Sequence, residues 1–508
     1  MTKLRRHVAC AAWSAMALLA LPHDSRAQEP YPGLDAYIVK SMHELKVPGL
    51  AIAIVRNDSV IYTKGYGVLT VGGQTPVNDM TLFEIGSSTK AFTATLMAMM
   101  VSDGKMKYDD LISKYLPDFK LYDPYASAQV TLRDALLHRT GVARGEWTWI
   151  DAGTSREEVL HRVRFLTPES PFRSKWSYQN IMYLAVGQAE GAAAGSSWDE
   201  LLQQRIFTPL GMTSSHPTYA GVTSTNLATA HAMADDTVFR KGRFNAENIA
   251  PAGGVITNAR DMAQWLRFQL SGGVANGKRL VDSAAFMETH TPQILMGPGS
   301  AAGGDQPRFS TYGMGWMIQD YRHQVMVQHG GNTPGMTTAV GMLPDKKIGV
   351  VVLSNLDHTQ LPDMLMHYVF DRDLGEPMHD YVAEALKRAQ SRRRPPEPAA
   401  PPHVGGPAPL PLSAYVGTYA DSMYGKVTVA IQDGNLYLTR GLAHGRLEYW
   451  NANNFRWWSN GAVSGAMEYI TFDISPDNKV LGVYYGMAPE VELLLRERRA
   501  GGRPGGGD

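Results

Sequence analysis

Cysteine is almost missing from this chain: the single one, Cys10, sits near the very start. Everything after it lacks a thiol, which excludes disulfides, thiolate catalysis and cysteine-held metals and leaves stability to packing alone. Net charge is missing too. The 48 basic residues balance 48 acidic ones, so no field draws in nucleic acid or an anionic membrane. There is no G-x-S-x-G elbow, no H-E-x-x-H pair and no phosphate-loop motif, which argues against an α/β-hydrolase, a zincin or a nucleotide enzyme. The 15 histidines are scattered without ligand spacing, so neither a metal nor another cofactor is implied. No internal repeat is visible.

What is present begins with an N-terminal segment of its own kind. Lys3, Arg5 and Arg6 precede the apolar run VACAAWSAMALLAL, which is followed by Ser25-Arg26-Ala27. A charged start, a short apolar middle and a small-residue exit predict a cleavable secretory signal over 1–27. Its apolar run of about 14 residues falls short of the roughly 20 that a spanning helix needs. The expected location is therefore periplasmic or secreted, with membrane contact only through the signal.

At 508 residues and 44% apolar composition the chain is expected to form more than one globular core. LAIAIVRNDSVIYTKGYG (50–67) reads as two strands joined at Asn57-Asp58. Helical patterns then alternate with Pro/Gly-rich loops to about 290, and 296–308 reads as a surface loop. A second strand-rich block follows over 323–355, and MLMHYVFDRDLG (364–375) reads as a helix packed on it. Strands at both ends and helices between predict an α+β domain over 28–385, its antiparallel sheet built from the two ends and flanked by helices. A Pro-rich linker is expected over 386–411. Short strands with turn signals, Asp433-Gly434 among them, then predict a small antiparallel β-barrel over 412–498, and 499–508 reads as a disordered tail.

Three short motifs carry candidate chemistry. In FEIGSSTK (83–90), Ser87 and Lys90 are three residues apart, on one face of a helix beginning there, whereas Ser88 has Ala91 at that spacing. A nucleophilic serine needs such a neighbouring base, and a helix N-terminus aims unpaired N–H groups at a forming oxyanion. The same pattern recurs as Ser102-Asp103-Gly104-Lys105 at a helix end, and Ser-Ser-Thr before an apolar run is also a capping signature. Tyr178-Gln179-Asn180 at a helix entry places a phenol beside a carboxamide, or is a buried aromatic followed by a capping Asn. His329-Gly330-Gly331-Asn332 ends a strand where glycines admit a close backbone approach; His329 also fits a plain edge-strand histidine.

These motifs in this order, together with LLHRTGV (136–142) and PAGGVITNARDMAQWL (251–266), resemble the penicillin-recognising serine hydrolases over about residues 30–375. That group comprises class C β-lactamases, DD-peptidases, D-aminopeptidases and related esterases. The resemblance implies Ser87 as the acylated nucleophile, Lys90 as its proton partner and Tyr178 as base or acid, with a phenolate favoured by Lys90. It implies Asn180 on the substrate amide, His329 orienting Tyr178 or substrate, and the N–H groups of Ser87 and Asn332 as oxyanion hole beside Gly330 and Gly331. Where class C β-lactamases carry Lys-Thr-Gly this chain has His-Gly-Gly, so a peptidase for short or unusual peptides is the expectation. An esterase, a weak β-lactamase and a non-turnover penicillin-binding sensor are the alternatives. LSAYVGTY (412–419) resembles the start of the lipocalin-like module of some peptidases in the group, implying a lid, an oligomerisation surface or a stabilising module. Phe455, Trp457, Trp458 and Trp450 are expected in that module's core. The expected partner is a small peptide, amide or ester.

Overall fold

In a computed structural model of the chain, the described residues are 30–234, 236–297, 307–391, 406–460, 468–485 and 494–496. The expected signal (1–27), most of the 296–308 loop, residues 392–405 of the expected linker and the 499–508 tail lie outside them.

One sheet unites the two ends of the larger domain. Its strands are β1 (Gly49–Arg56), β2 (Ser59–Gly67), β3 (Ile294–Leu295), β4 (Ser310–Tyr312), β5 (Met317–Tyr321), β6 (Gln324–Thr333), β7 (Met336–Leu343) and β8 (Ile348–Ser354). They lie in the order β2-β1-β8-β7-β6-β5-β4-β3, every neighbouring pair antiparallel. Asn57 and Asp58 both take positive φ, the geometry that lets a two-residue turn follow the strand twist.

Strand alternation gives the sheet two buried faces. Leu50, Ile52 and Ile54 of β1 join Val350 and Val352 of β8 in a core with α1 (Leu34–Glu44) and α5 (Leu361–Leu374). The intervening Ala51, Ala53, Val55, Val351 and Leu353 face a larger core with α2 (Lys90–Ser102), α3 (Asn180–Ala194) and α4 (Ala259–Leu270). Burying each such Leu, Ile or Val side chain contributes about 1.5–3 kcal/mol. Helix α2 is buried from Lys90 through Met100, as befits a helix apolar on all sides at the centre of a domain. A lysine at its first position is therefore a buried lysine.

Past the sheet, α6 (Tyr381–Ser391) runs through the first residues of the expected linker. VAEALKRAQS consists of good helix formers, and the first proline comes only at Pro395. The C-terminal strands are β9 (Gly417–Asp421), β10 (Gly425–Gln432), β11 (Asn435–Arg440), β12 (Ala443–Asn451), β13 (Asn454–Ser459), β14 (Glu468–Ile474), β15 (Val480–Tyr485) and β16 (Leu494–Arg496). They form a closed antiparallel barrel, β9 pairing with both β10 and β16. Tyr419, Val429, Leu438, Phe455, Trp457 and Phe472 fill its interior, as in other barrels of this size. The aromatic block divides by strand alternation: Phe455 and Trp457 point in, whereas Trp458 is 51% exposed and Trp450 half-buried. Among the described residues no helix is long and apolar enough to cross a membrane.

Candidate active site

Ser87 lies in a 3-10 turn, Gly86–Thr89, that leads straight into α2. In that tighter helix residues three apart eclipse one another, and Lys90 Nζ stands 3.0 Å from Ser87 Oγ. The neighbouring serine is occupied elsewhere: buried Ser88 donates to the carbonyl of His329 at 3.1 Å, pinning the turn to β6. Ser87 is half-buried.

Lys90 Nζ has two further acceptors, Asn180 Oδ1 at 2.7 Å and the Ala252 carbonyl at 2.9 Å. Burial drives its pKa well below that of an ordinary lysine; Glu146 pulls it back up and Arg144 pushes it down. The Ala252 carbonyl comes from the short helix Ala250–Gly253, inside the PAGG stretch. Sequence reading gave that stretch no role, because a backbone acceptor leaves no side-chain signature.

Tyr178 sits just before α3. Gln179, not Asn180, caps this helix, its Oε1 accepting from the Ile181 N–H at 2.9 Å. That leaves the Asn180 side chain free to span from Lys90 to Glu146, whose Oε1 accepts from Nδ2 at 3.3 Å. The Tyr178 ring centroid is 4.7 Å from Lys90 Nζ. Desolvation raises the Tyr178 pKa above the ordinary phenol value, outweighing the lowering by Ser87 and Arg144. The expected phenolate is thus corrected: the site favours a neutral phenol and a neutral amine, because burial penalises both charged forms.

His329 is buried on β6. Its Nδ1 lies 2.6 Å from the Gly330 carbonyl and its Nε2 3.1 Å from the Tyr312 hydroxyl. A carbonyl only accepts, so the proton is on Nδ1 and Nε2 accepts from Tyr312. Burial and Lys90 pull the His329 pKa down to about 3, so the third-motif position carries a neutral imidazole. His329 meets Tyr178 ring to ring, with centroids 6.4 Å apart. His138 packs on the other side, 4.4 Å from the Tyr178 ring, its Nδ1 accepting from the Gln179 N–H at 3.1 Å.

Beyond His329, β6 runs backbone to backbone against the Ser87 turn at Gly331 and Asn332. A Cβ on Gly331 would stand 1.9 Å from the Ile85 carbonyl, and one on Gly86, whose φ is +49°, 2.8 Å from the Asn332 nitrogen. Gly331 and Asn332 thus bring backbone to the turn that carries the serine, whereas a Cβ on Gly330 would meet only the Thr338 carbonyl, at 3.5 Å. Two charged groups border the site, Arg144 and Glu146: Arg144 Nε donates to Glu146 Oε1 at 2.8 Å, and its guanidinium lies 5.3 Å from the Tyr178 ring. Sequence reading missed Arg144, Glu146, Tyr312 and His138. His138 alone had a signal, in the quoted LLHRTGV. Among the described residues no three His, Cys, Asp or Glu side chains are grouped to hold a metal.

Known proteins share the family and the fold. The beta-lactamase family profile matches residues 34–368, and that of a domain of unknown function, DUF3471, matches 401–498. Unguisins hydrolase ungD of Aspergillus violaceofuscus is 28% identical over 443 residues, covering 78% of this chain and 76% of its own. Protein flp of Staphylococcus aureus is 26% identical over 352 residues, 68% of this chain and 66% of its own. Among solved structures, an octameric penicillin-binding protein homologue from Pyrococcus abyssi superposes with a TM-score of 0.62 at 22% identity, covering 91% of this chain and 99% of that one. SurE superposes at 0.55 and 21% identity, covering 92% and 98%. Both share the fold.

Proposed function

The chain belongs to the beta-lactamase family, and from that premise we propose a serine hydrolase that acylates Ser87 and cleaves the amide bonds of short peptides. The observation that carries this reading is the trio of contacts on Lys90. Two partners, Asn180 Oδ1 and the Ala252 carbonyl, can only accept. A neutral amine gives its two N–H bonds to them and keeps its lone pair for the Ser87 hydroxyl, 3.0 Å away. Burial, which lowers the Lys90 pKa, favours that same neutral form.

In this reading the Ser87 proton passes to Lys90 Nζ as Oγ attacks the substrate carbonyl carbon. The N–H groups of Ser87 and Asn332 receive the oxyanion. When the carbon–nitrogen bond breaks, the amine needs a proton; Tyr178, whose ring lies 4.7 Å from Lys90 Nζ, delivers it and is recharged from Lys90. Water then attacks the ester and gives its proton back through the same pair, and the bond to Oγ breaks to release acid and free Ser87. An alkoxide leaves without such help, so a retained phenol supports amide cleavage ahead of ester cleavage. A neutral His329 supplies no cation for a β-lactam carboxylate, which supports weak β-lactamase activity at most. The hydrolase name of the unguisins relative supports turnover rather than a silent sensor. The signal-like residues 1–27 support export as part of the same reading.

The test is intact mass after a fluorophosphonate, wild type against Ser87→Ala, followed by amino-acid p-nitroanilides, p-nitrophenyl esters and nitrocefin. A single adduct lost in Ser87→Ala and turnover of an anilide are expected. No adduct on wild type would sink the assignment.

A further inference from the structure

The barrel's β11–β12 hairpin grips one short turn of the hydrolase domain. Arg440, only 3% exposed, donates to the Trp147 carbonyl and, at 3.2 Å, to the Ile150 carbonyl, with its guanidinium 5.3 Å from the Trp147 ring. At the hairpin tip the Leu442 N–H donates to the Asp151 carbonyl at 2.8 Å. Gly441 takes φ +54° and lies so close that a Cβ there would stand 2.2 Å from the Asp151 oxygen. Met423, at the same end of the barrel, is buried in the hydrolase core. A simple stabilising contact would be an apolar face. Beside the apolar contact of Met423 this one adds a directional hold, a buried guanidinium on two backbone carbonyls, and burying a charge is costly unless such partners are held in place.

The gripped turn carries Glu146 and directly follows Arg144, the charged pair that borders the site. Residues 146–148 form a 3-10 turn opened by Gly145, with Thr148 Oγ1 bonded back to the Gly145 carbonyl at 2.7 Å. Glu146 reaches Asn180, and Arg144 lies over Tyr178. One face of a single turn therefore meets Arg440, and the other meets the neighbours of Ser87. Both ends of the turn are fixed through backbone bonds, so a shift at 147–151 moves Glu146 with it.

We infer that the C-terminal barrel is a positioning module for the site. Arg440, through the carbonyls of Trp147 and Ile150, sets where Arg144 and Glu146 stand. The barrel thereby governs acceptance of substrates with a charged group beyond the scissile bond. Arg440 is a positioning residue and touches no substrate. The kinetic consequence rests on the serine-hydrolase reading; the structural consequence does not.

The test uses full-length Arg440→Met, Arg440→Lys and Gly441→Ala. In hydrogen exchange, Arg440→Met and Gly441→Ala are expected to speed amides in 144–153 about tenfold or more, with α2 unchanged and Arg440→Lys in between. In kinetics above the Lys90 acid limb, the same two variants raise KM for a charged peptide anilide about tenfold at nearly constant kcat, while p-nitrophenyl acetate turnover and Ser87 labelling stay near wild type. The Arg440→Met effect shrinks in a Glu146→Gln background, as it must if it acts through that carboxylate. Unchanged exchange at 144–153 in a folded variant overturns the inference. So does loss of the folded circular-dichroism signal in both Arg440→Met and Gly441→Ala, which would make the contact a general stabiliser. A wild type inactive on every substrate, with faster exchange at 144–153 in the variants, would reject the hydrolase reading and leave the clamp standing.

Discussion

Tyr312 on β4 and His329 on β6 reach across the intervening β5 to bring a hydroxyl within 3.1 Å of Nε2. With Nδ1 committed to the Gly330 carbonyl, this bond fixes both the tautomer and the plane of an imidazole packed near Tyr178. Neither ring can turn without orphaning a buried polar group.

Tyr312→Phe leaves Nε2 of His329 unpaired in the core. We expect a stability loss of about 1–3 kcal/mol by urea unfolding and roughly tenfold lower kcat/KM from the loosened imidazole. Wild-type values on both measurements would remove Tyr312 from the site.

The pH dependence has a definite sign. Lys90 acts as a base only when neutral, so kcat/KM rises with pH as Lys90 loses its proton, at a pH below the ordinary lysine range. Arg144 lowers that pKa and Glu146 raises it. Arg144→Gln is therefore expected to move the acid limb to higher pH, and Glu146→Gln to move it lower. His329, pulled down to about 3, stays neutral across pH 5–8 and adds no limb there. Shifts of equal sign in the two variants would exclude Lys90 as the titrating group.

The adjacent serines separate cleanly. Ser87→Ala is expected to lower kcat by about three orders of magnitude or more, as removal of a nucleophile does. Ser88→Ala loses the bond to the His329 carbonyl, about 1 kcal/mol of stability, and keeps activity within a few-fold. Fluorophosphonate labelling and urea unfolding on both variants check this. Labelling that survived in Ser87→Ala and vanished in Ser88→Ala would reverse the assignment.

Local spacing made much of this legible. Ser87 and Lys90 sit in one motif, and the strands at 50–67 and 323–355 declare themselves as apolar runs bounded by turn signals, so the sheet built from both ends follows from pattern alone. The order of the motifs pointed to Tyr178 and His329 as their companions. What stayed hidden depends on tertiary burial or on backbone. Tyr178 reads as a phenolate beside a lysine until its desolvation is known. The Ala252 carbonyl is an acceptor that any residue type would present. Gln179 outcompetes Asn180 as a cap by a choice of side-chain direction, and Arg440 meets Trp147 only because two domains dock.

The close approach at Gly331 gives the sharpest structural prediction. A Cβ there would stand 1.9 Å from the Ile85 carbonyl and 3.1 Å from the Ser88 nitrogen, both backbone atoms that no rotamer can move. Gly331→Ala must push β6 and the Ser87 turn apart, taking the Asn332 N–H out of register with the serine. Loss of one oxyanion donor lowers kcat about 100–1,000-fold, and that range is expected here, with Lys90 still able to draw the serine's proton. Slow labelling by fluorophosphonate should therefore persist while turnover falls. The check is pre-steady-state labelling beside kcat. A Gly331→Ala protein with wild-type turnover would show that β6 contributes no donor to the reaction.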